Sequence, residues 1–363
     1  MKKAACLSAL LLAIWVIASP MGWSEPPKKN FFEIKNGVNI SHWLSQTEQR
    51  GEGRKAYFTR ADVEYIASLG YDHIRLPVDE DHLFTEDGEK EPEAFALLHD
   101  ALGWCDEFHL RVVVDLHILR SHSFDAEKRP LFIDPKAQER FYECWRKISG
   151  ELNKYSLDKV AYELLNEPVA DKHEDWNIIA NRCLEAIREL EPERTIVLGS
   201  NSWQSYATVR SLRVPENDPN IILSFHYYEP FLLTHYKAPW SHMKDINVPV
   251  HYPGQVIADA DLAAAGEFAK DGQKVHNIEV IEKHFKQVVA VAEKYNLKIY
   301  CGEYGCVFWV SHEDKIRWYK DLYTMFEKYD IARANWDYKG GFAILLHGRE
   351  PQTELINMIL GKE

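Results

Sequence analysis

The chain is poor in the features that mark several protein classes, and each shortage removes a function. Its 363 residues carry 43 lysines and arginines against 56 aspartates and glutamates, a net charge of -13. A protein that gripped phosphate backbones would work against its own field, and no basic run relieves that, so nucleic acid is excluded as a partner. Cysteine is scarce at six residues. Beyond Cys6 there remain Cys105, Cys144, Cys183, Cys301 and Cys306, an odd set with no CxxC pair and no zinc-ligand spacing. Neither a disulfide framework nor a structural metal is indicated, and the thiols read mostly as buried small hydrophobes. No low-complexity tract or Gly/Ser linker interrupts residues 30–363, which leaves nothing to divide the chain into domains.

The first residues are set apart from the rest. Lys2 and Lys3 precede an apolar stretch from Leu7 to Ala18, and Gly22 to Ser24 follow as a small-residue cleavage region. Residues 1–24 therefore read as a signal peptide and residues 25–363 as the mature domain, exported to the periplasm or beyond. The stretch is short for a membrane span, and Pro20 and Gly22 end it, so no stable membrane insertion is expected after cleavage. Cys6 lies on the wrong side of the stretch for lipidation. Oligomeric state is left open by the sequence.

In the mature part, short apolar runs alternate with longer segments of helical period, a rhythm counted eight times. The predicted strands are 38–41, 73–76, 111–116, 160–165, 195–198, 221–225, 298–301 and 332–336, each rich in β-branched or aromatic residues. Amphipathic stretches at 60–69, 94–108, 136–154, 175–190, 278–295 and 312–329 supply the crossovers. Strands that alternate with helices imply a parallel sheet. Eight such units in one chain are best accommodated as a closed (β/α)8 barrel, a TIM barrel of the α/β class.

In such a barrel chemistry sits where strands end, and the strand ends here are polar and aromatic. Two carboxylates stand out: Glu167 in Tyr162-Glu163-Leu164-Leu165-Asn166-Glu167-Pro168, and Glu303 in Ile299-Tyr300-Cys301-Gly302-Glu303-Tyr304-Gly305. Hydrolysis of a glycoside with retention needs such a pair, one protonated to assist the leaving oxygen and one ionised to attack the sugar carbon. Glu167 is assigned the first role and Glu303 the second. Glu163 lies inside its strand and is read as pointing into the barrel or toward a helix rather than into the chemistry. Arg75, His117, Asn166, His226 and Tyr228 fall at or near strand ends as supporting residues, with Asn166 placed to donate to a sugar 2-hydroxyl. Trp336 offers a platform for a pyranose ring, which Trp43, Trp203 and Trp309 would extend. The histidines and Asp115 raise a metal reading. Metal ligands on one strand are expected in close pairs, however, and His42 has no histidine partner two residues away, so no metal and no cofactor are predicted. Residues 227–274 break the repeat with no convincing element of their own. They carry Phe231, Tyr236, Trp240 and Tyr252, and are read as one wall of a substrate cleft.

Taken together these positions resemble glycoside hydrolase family 5, the cellulase-type retaining barrels. The likeness covers nearly the whole mature chain: Arg75, His117, Asn166 with Glu167, His226 with Tyr228, Glu303 and Trp336. The opening Gly37-Val38-Asn39-Ile40-Ser41-His42-Trp43-Leu44 and the run from His226 through His235 look like bacterial endoglucanases, and add His42 and Trp43 to the candidate site. The resemblance implies a β-glucan or related polysaccharide as substrate, cut through a covalent glycosyl-enzyme, most simply as an endo-β-1,4-glucanase. Mannanase, xyloglucanase and exo-1,3-glucanase activity are the alternatives within the family, and a non-catalytic glycan-binding barrel is the alternative outside it.

Overall fold

In the computed structural model, residue 29 and residues 32–346 and 350–362 are described. The predicted leader, residues 1–24, lies outside them. Eight strands form the barrel: β1 (Asn36–Asn39), β2 (His73–Val78), β3 (Arg111–Leu116), β4 (Val160–Glu163), β5 (Ile196–Gly199), β6 (Ile221–Tyr227), β7 (Lys298–Tyr304) and β8 (Ala332–Asn335). Each pairs in parallel with its sequence neighbour, and β8 closes the ring on β1 through Asn36↔Arg333, Gly37↔Ala334 and Val38↔Asn335. The predicted closed barrel is therefore the fold. Strand ends differ from the prediction by up to three residues. Most notably, β4 stops at Glu163, so Leu164 to Glu167 already belong to the loop.

The crossover helices form where local signals agree with the apolar period. Helix α1 (Arg60–Leu69) opens on a capping box between Thr59 and Asp62 and stops at Gly70, whose φ of 94° suits the left-handed C-cap. Helix α2 (Pro92–Glu107) is capped by Glu91. Helix α3 (Pro135–Leu152) starts at an Asp134 cap followed by proline, and buries Phe141, Cys144, Trp145, Ile148 and Leu152, a stripe at spacings of one helical turn. Helices α4 (His173–Arg188), α5 (Ile278–Tyr295), α6 (His312–Lys328) and α7 (Thr353–Leu360) complete the coat. The eightfold rhythm fails once. Between β5 and β6 the chain makes only a short turn at Asn201–Gln204 and a 3-10 turn at Val209–Ser211, because Gly199-Ser200-Asn201-Ser202 and Pro215 favour turns over helix. Among the described residues no helix is long and apolar enough to cross a membrane.

The barrel interior is layered. Its lower part is a small apolar core of Phe32, Val113, Ala161, Val197, Ile222, Tyr300 and Ala334. Two residues beyond Val113, Ala161 and Ile222, the inward positions become Asp115, Glu163 and Ser224, and β2 adds Arg75, all fully buried. Strand β7 needs a correction to reach this layer. Tyr300 faces inward, so strict alternation would turn Glu303 outward toward the helices. The register with β6 slips between Phe225↔Cys301 and His226↔Glu303, and this bulge returns Glu303 to the inside. Gly302 is the extra residue. A β-carbon on it would stand 3.1 Å from Ser224 Oγ and 3.2 Å from His226 Nε2, which leaves little room for any other residue there. Tyr304 then faces outward, against Tyr319 and Phe326 of α6.

Candidate active site

At the carboxyl ends of the strands opens a cleft of about 590 Å³, lined by His117, Asn166, Glu167, His226, Tyr228, Glu303 and Trp336 among others. Seven of the ten predicted site residues thus share one cavity. Arg75 lies directly beneath it, fully buried. It donates through Nη1 to Glu303 Oε1 at 2.7 Å and to Asn39 Oδ1 at 3.0 Å, and through Nη2 to Asn166 Oδ1 at 2.9 Å. Glu163 takes the other side of the guanidinium in a two-pronged pair, 2.7 Å from Nε and 3.1 Å from Nη2, and Asp115 Oδ2 lies 3.0 Å from Nη2. Burial works against a charged guanidinium, but Asp115, Glu163 and Glu303 hold it protonated.

This frame dictates the chemistry above it. Glu303 is 5% exposed, and its second oxygen accepts from Tyr228 Oη at 2.9 Å. Burial leaves its carboxyl above the ordinary value, although Arg75 and the Tyr228 hydroxyl oppose the rise. Glu167 lacks such support. Its Oε1 meets only His226 Nδ1, at 2.8 Å, and burial followed by the charge of Glu303 pushes its carboxyl well above the usual range. Of the two, Glu303 is the group the surroundings favour as an anion, and Glu167 the one they favour as an acid. An oxygen of Glu167, one of Glu303 and a nitrogen of His226 all lie within 4.8 Å of one another.

The remaining residues keep the ring nitrogens and amides in defined states. His117 Nδ1 pairs with Asp115 Oδ2 at 2.6 Å, and burial lowers its pKa to about 3, so the imidazole is neutral with Nε2 free for the cleft. Burial also keeps His226 neutral. Because Asn166 spends its oxygen on Arg75, its amide NH2 is left to donate into the cleft. The Trp336 ring lies parallel to His117, centroids 5.5 Å apart and planes at 9°, so one indole face is covered and the other bounds the cavity. The Trp336–Asp337 peptide is cis.

Two predicted residues fall elsewhere. Trp43 is fully buried, donates Nε1 to Arg54 O at 2.8 Å and packs on Phe58, so it belongs to the core and not to a sugar platform. The backbone just before it is bent, with a φ of 57° at His42. His42 itself sits half-buried with its Cδ2 near Gly340 and does not line the cleft. Residues 227–274 are only partly a wall. Phe231, His235, Trp240 and Ser241 line the cavity, whereas Tyr252 is buried and bonds to Asp321 and Asp314, and Tyr236 packs on the core. The segment also has elements of its own, a helical turn at Phe231–Thr234 and a hairpin pairing Gly254–Gln255 with Val275–His276.

Of the two directions the sequence leaves open for Glu163, into the barrel or toward a helix, the structure shows the first. Sequence reasoning missed that Glu163, Asp115 and Asn39 together hold Arg75. The signal was present: single charges of opposite sign inside apolar strands must find one another. The metal question also takes a sharper form, since Glu167, His226 and Glu303, and separately Asp79, Asp81 and His82, are grouped closely enough to hold a cation.

Comparison with known proteins agrees with this geometry. The family model for cellulase, glycosyl hydrolase family 5, matches residues 36–341. Endoglucanase C of Acetivibrio thermocellus is 33% identical over 344 residues, which cover 90% of this chain and 98% of the relative. Cellodextrinase A of Ruminococcus flavefaciens is 32% identical over 303 residues, 83% of this chain and 84% of the relative. A solved structure of an endoglucanase superposes with a TM-score of 0.74 at 25% identity, covering 90% of this chain and 97% of that one. A hyperthermophilic endo-β-1,4-glucanase solved in complex with substrate gives 0.75 at 24%, covering 91% and 97%. With the matched segment running from β1 to past β8, the chain belongs to glycosyl hydrolase family 5 and is a glycoside hydrolase.

Proposed function

We propose that this hydrolase cuts β-1,4-linked glucan internally with retention of configuration, Glu303 attacking the sugar and Glu167 serving as acid and then base. The observation that carries the reading is the pair itself. An oxygen of each lies within 4.8 Å of the other, close enough for both to reach one glycosidic bond, and their surroundings favour opposite protonation states, as retention requires of an acid and a nucleophile. In the first step Glu167 gives its proton to the leaving glycosidic oxygen while a Glu303 oxygen bonds to the anomeric carbon. In the second, Glu167 takes a proton from water as that water displaces Glu303. Arg75 and Tyr228 keep Glu303 ionised before attack and receive its charge again on release. The Asn166 amide supports the sugar 2-hydroxyl, a contact that strengthens as positive charge develops on the ring. The side of Trp336 that bounds the cleft is offered to the apolar face of the same sugar.

The choice of β-1,4-glucan rests on the endoglucanase and cellodextrinase relatives, and internal cleavage on the endoglucanases among them. Export rests on the composition of residues 1–24. The test is reducing-sugar release from carboxymethylcellulose, barley β-glucan, xyloglucan, glucomannan and laminarin, with a chelator present and Glu303→Gln as control. Chelator-resistant activity, strongest on carboxymethylcellulose or barley β-glucan and abolished in the variant, is expected. Preference for glucomannan, xyloglucan or laminarin would reassign the substrate. Loss of activity on chelation would move Glu167, His226 and Glu303 into a metal site.

A further inference from the structure

The aromatic residues of the surface are unevenly distributed. Among the described residues the exposed large aromatics are Trp203, Phe231, Trp240, Phe308 and Trp309. All five follow β5, β6 or β7, three strands adjacent in the ring, and all lie on loops at the carboxyl end of the barrel. The described residues of the loops after β1, β2, β3, β4 and β8 contribute none. Each of these tryptophans leaves between 37% and 56% of its surface to solvent, and three on consecutive loops form a patch of the kind that marks a binding surface.

The patch has an inner and an outer part. Trp203, Phe231 and Trp240 line the cleft, whereas Phe308 and Trp309 do not. The two parts touch: the Trp240 and Trp309 rings are 6.0 Å apart, and Trp309 lies 4.1 Å from Phe308 at an interplanar angle of 33°. Trp240 is seated against Gly341, where a β-carbon would come within 2.6 Å of the indole, and its ring lies 5.9 Å from Phe342. The row is thus fixed at its inner end and continues outward without a polar break.

We propose that Trp309 and Phe308 form an outer station for the glycan, a sugar-stacking surface beyond the cleft that holds the polymer as it leaves past Trp240. This rests on the glycan-hydrolase reading and deepens it. The occupant follows from continuity, since a polymer bound in the cleft and leaving on this side meets Trp309 next. It follows also from chemistry, because the axial C–H face of a β-linked glucose is apolar and matches an indole, while its equatorial hydroxyls stay in water. Binding on the β5–β7 side is accordingly stronger than on the side of β1 to β3.

The test compares substrates that reach the station with one that does not. An aryl β-cellobioside occupies the cleft alone, whereas carboxymethylcellulose and cellohexaose extend beyond it. Trp309→Ala is expected to lower kcat/KM on the long substrates by roughly three- to tenfold, the range for one aromatic contact. The aryl glycoside should change less than about twofold on the same scale. Phe308→Ala should act in the same direction more weakly, and Trp309→Phe should retain most of the activity. Equal losses on short and long substrates would show that Trp309 only supports the loop, and unchanged values on both would show that no sugar reaches it; either overturns the inference. Binding without turnover separates this inference from the functional reading. In a gel containing carboxymethylcellulose, Glu303→Gln should be retarded more than the double variant with Trp309→Ala. Equal retardation sinks the outer station even where the wild type is active. A wild type inactive on every glucan sinks the functional reading instead.

Discussion

The lower and upper halves of the barrel interior share most of their strands, only two or three residues apart, and obey opposite rules. Below, Val113, Ala161, Val197, Ile222 and Ala334 fill the space with hydrocarbon. Above, Arg75 sits among Asp115, Glu163 and Glu303, all taken out of water. The lower layer lowers the free energy of the folded chain by burying apolar area. The upper layer desolvates charges, for which well-packed hydrophobic side chains of the same volume are often as stable or more so. What the upper layer contributes is a fixed electrostatic environment, in which Glu303, held by Arg75 and Tyr228, and Glu167, bonded only to His226, are driven to different protonation states.

Four experiments would break or sharpen that contrast. The largest effect is expected from Glu303→Gln, which keeps the shape and removes the attacking oxygen anion; kcat should fall on the order of 10⁴-fold or more, read by steady-state kinetics on a soluble glucan. Next is Glu163→Gln, which leaves the cleft lining untouched but withdraws one charge from Arg75. We expect a loss of about 3 kcal/mol in urea unfolding, as for breaking a buried pair, with a fall in kcat. A stable variant with full activity would mean that Asp115 and Asn39 suffice to hold the guanidinium.

The third concerns pH. Glu167 must be protonated to act as the acid, so activity is present below its pKa and is lost as pH rises through it. Burial and the charge of Glu303 raise that pKa, so the basic limb of kcat/KM should lie well above the 4.5 of a free glutamate. The same shift weakens the fold: relative to acid pH, stability falls as pH rises from the unfolded value through the folded one, because only the unfolded chain ionises freely. A basic limb near 4.5 would remove the proposed division of roles. The smallest effect belongs to the lower layer. Ile222→Val should reduce stability by about 0.5–1.5 kcal/mol with kcat unchanged, and a comparable loss in kcat would show that the two layers are mechanically coupled.

The sequence revealed the barrel and most of the cleft because both depend on local patterns. Short apolar runs alternate with amphipathic helices, and a strand that ends in Asn166-Glu167-Pro168 or Gly302-Glu303 announces a site. It concealed what depends on direction in space. Both Trp43 and Trp336 follow barrel strands, the first four residues after β1 and the second directly after β8, yet one is sealed in the core and the other borders the cavity. Asp115 and Glu163 were visible as charges in apolar strands. Their convergence on one guanidinium, however, needs the ring to close. The segment 227–274 mixes cleft-lining and core-packing aromatics because its short elements have no period long enough to show a face.

The bulge at Gly302 also sets a rule for reading β7. Counting along this strand changes parity at one glycine: Tyr300 before it and Glu303 after it face the same interior, though they are three residues apart. Deleting Gly302 would leave every catalytic residue present in the sequence and turn the carboxylate toward the helix coat. Relatives compared by residue identity alone would then appear intact while lacking the chemistry, so for this strand the spacing of Glu303 from Tyr300 is as much a part of the active site as the glutamate.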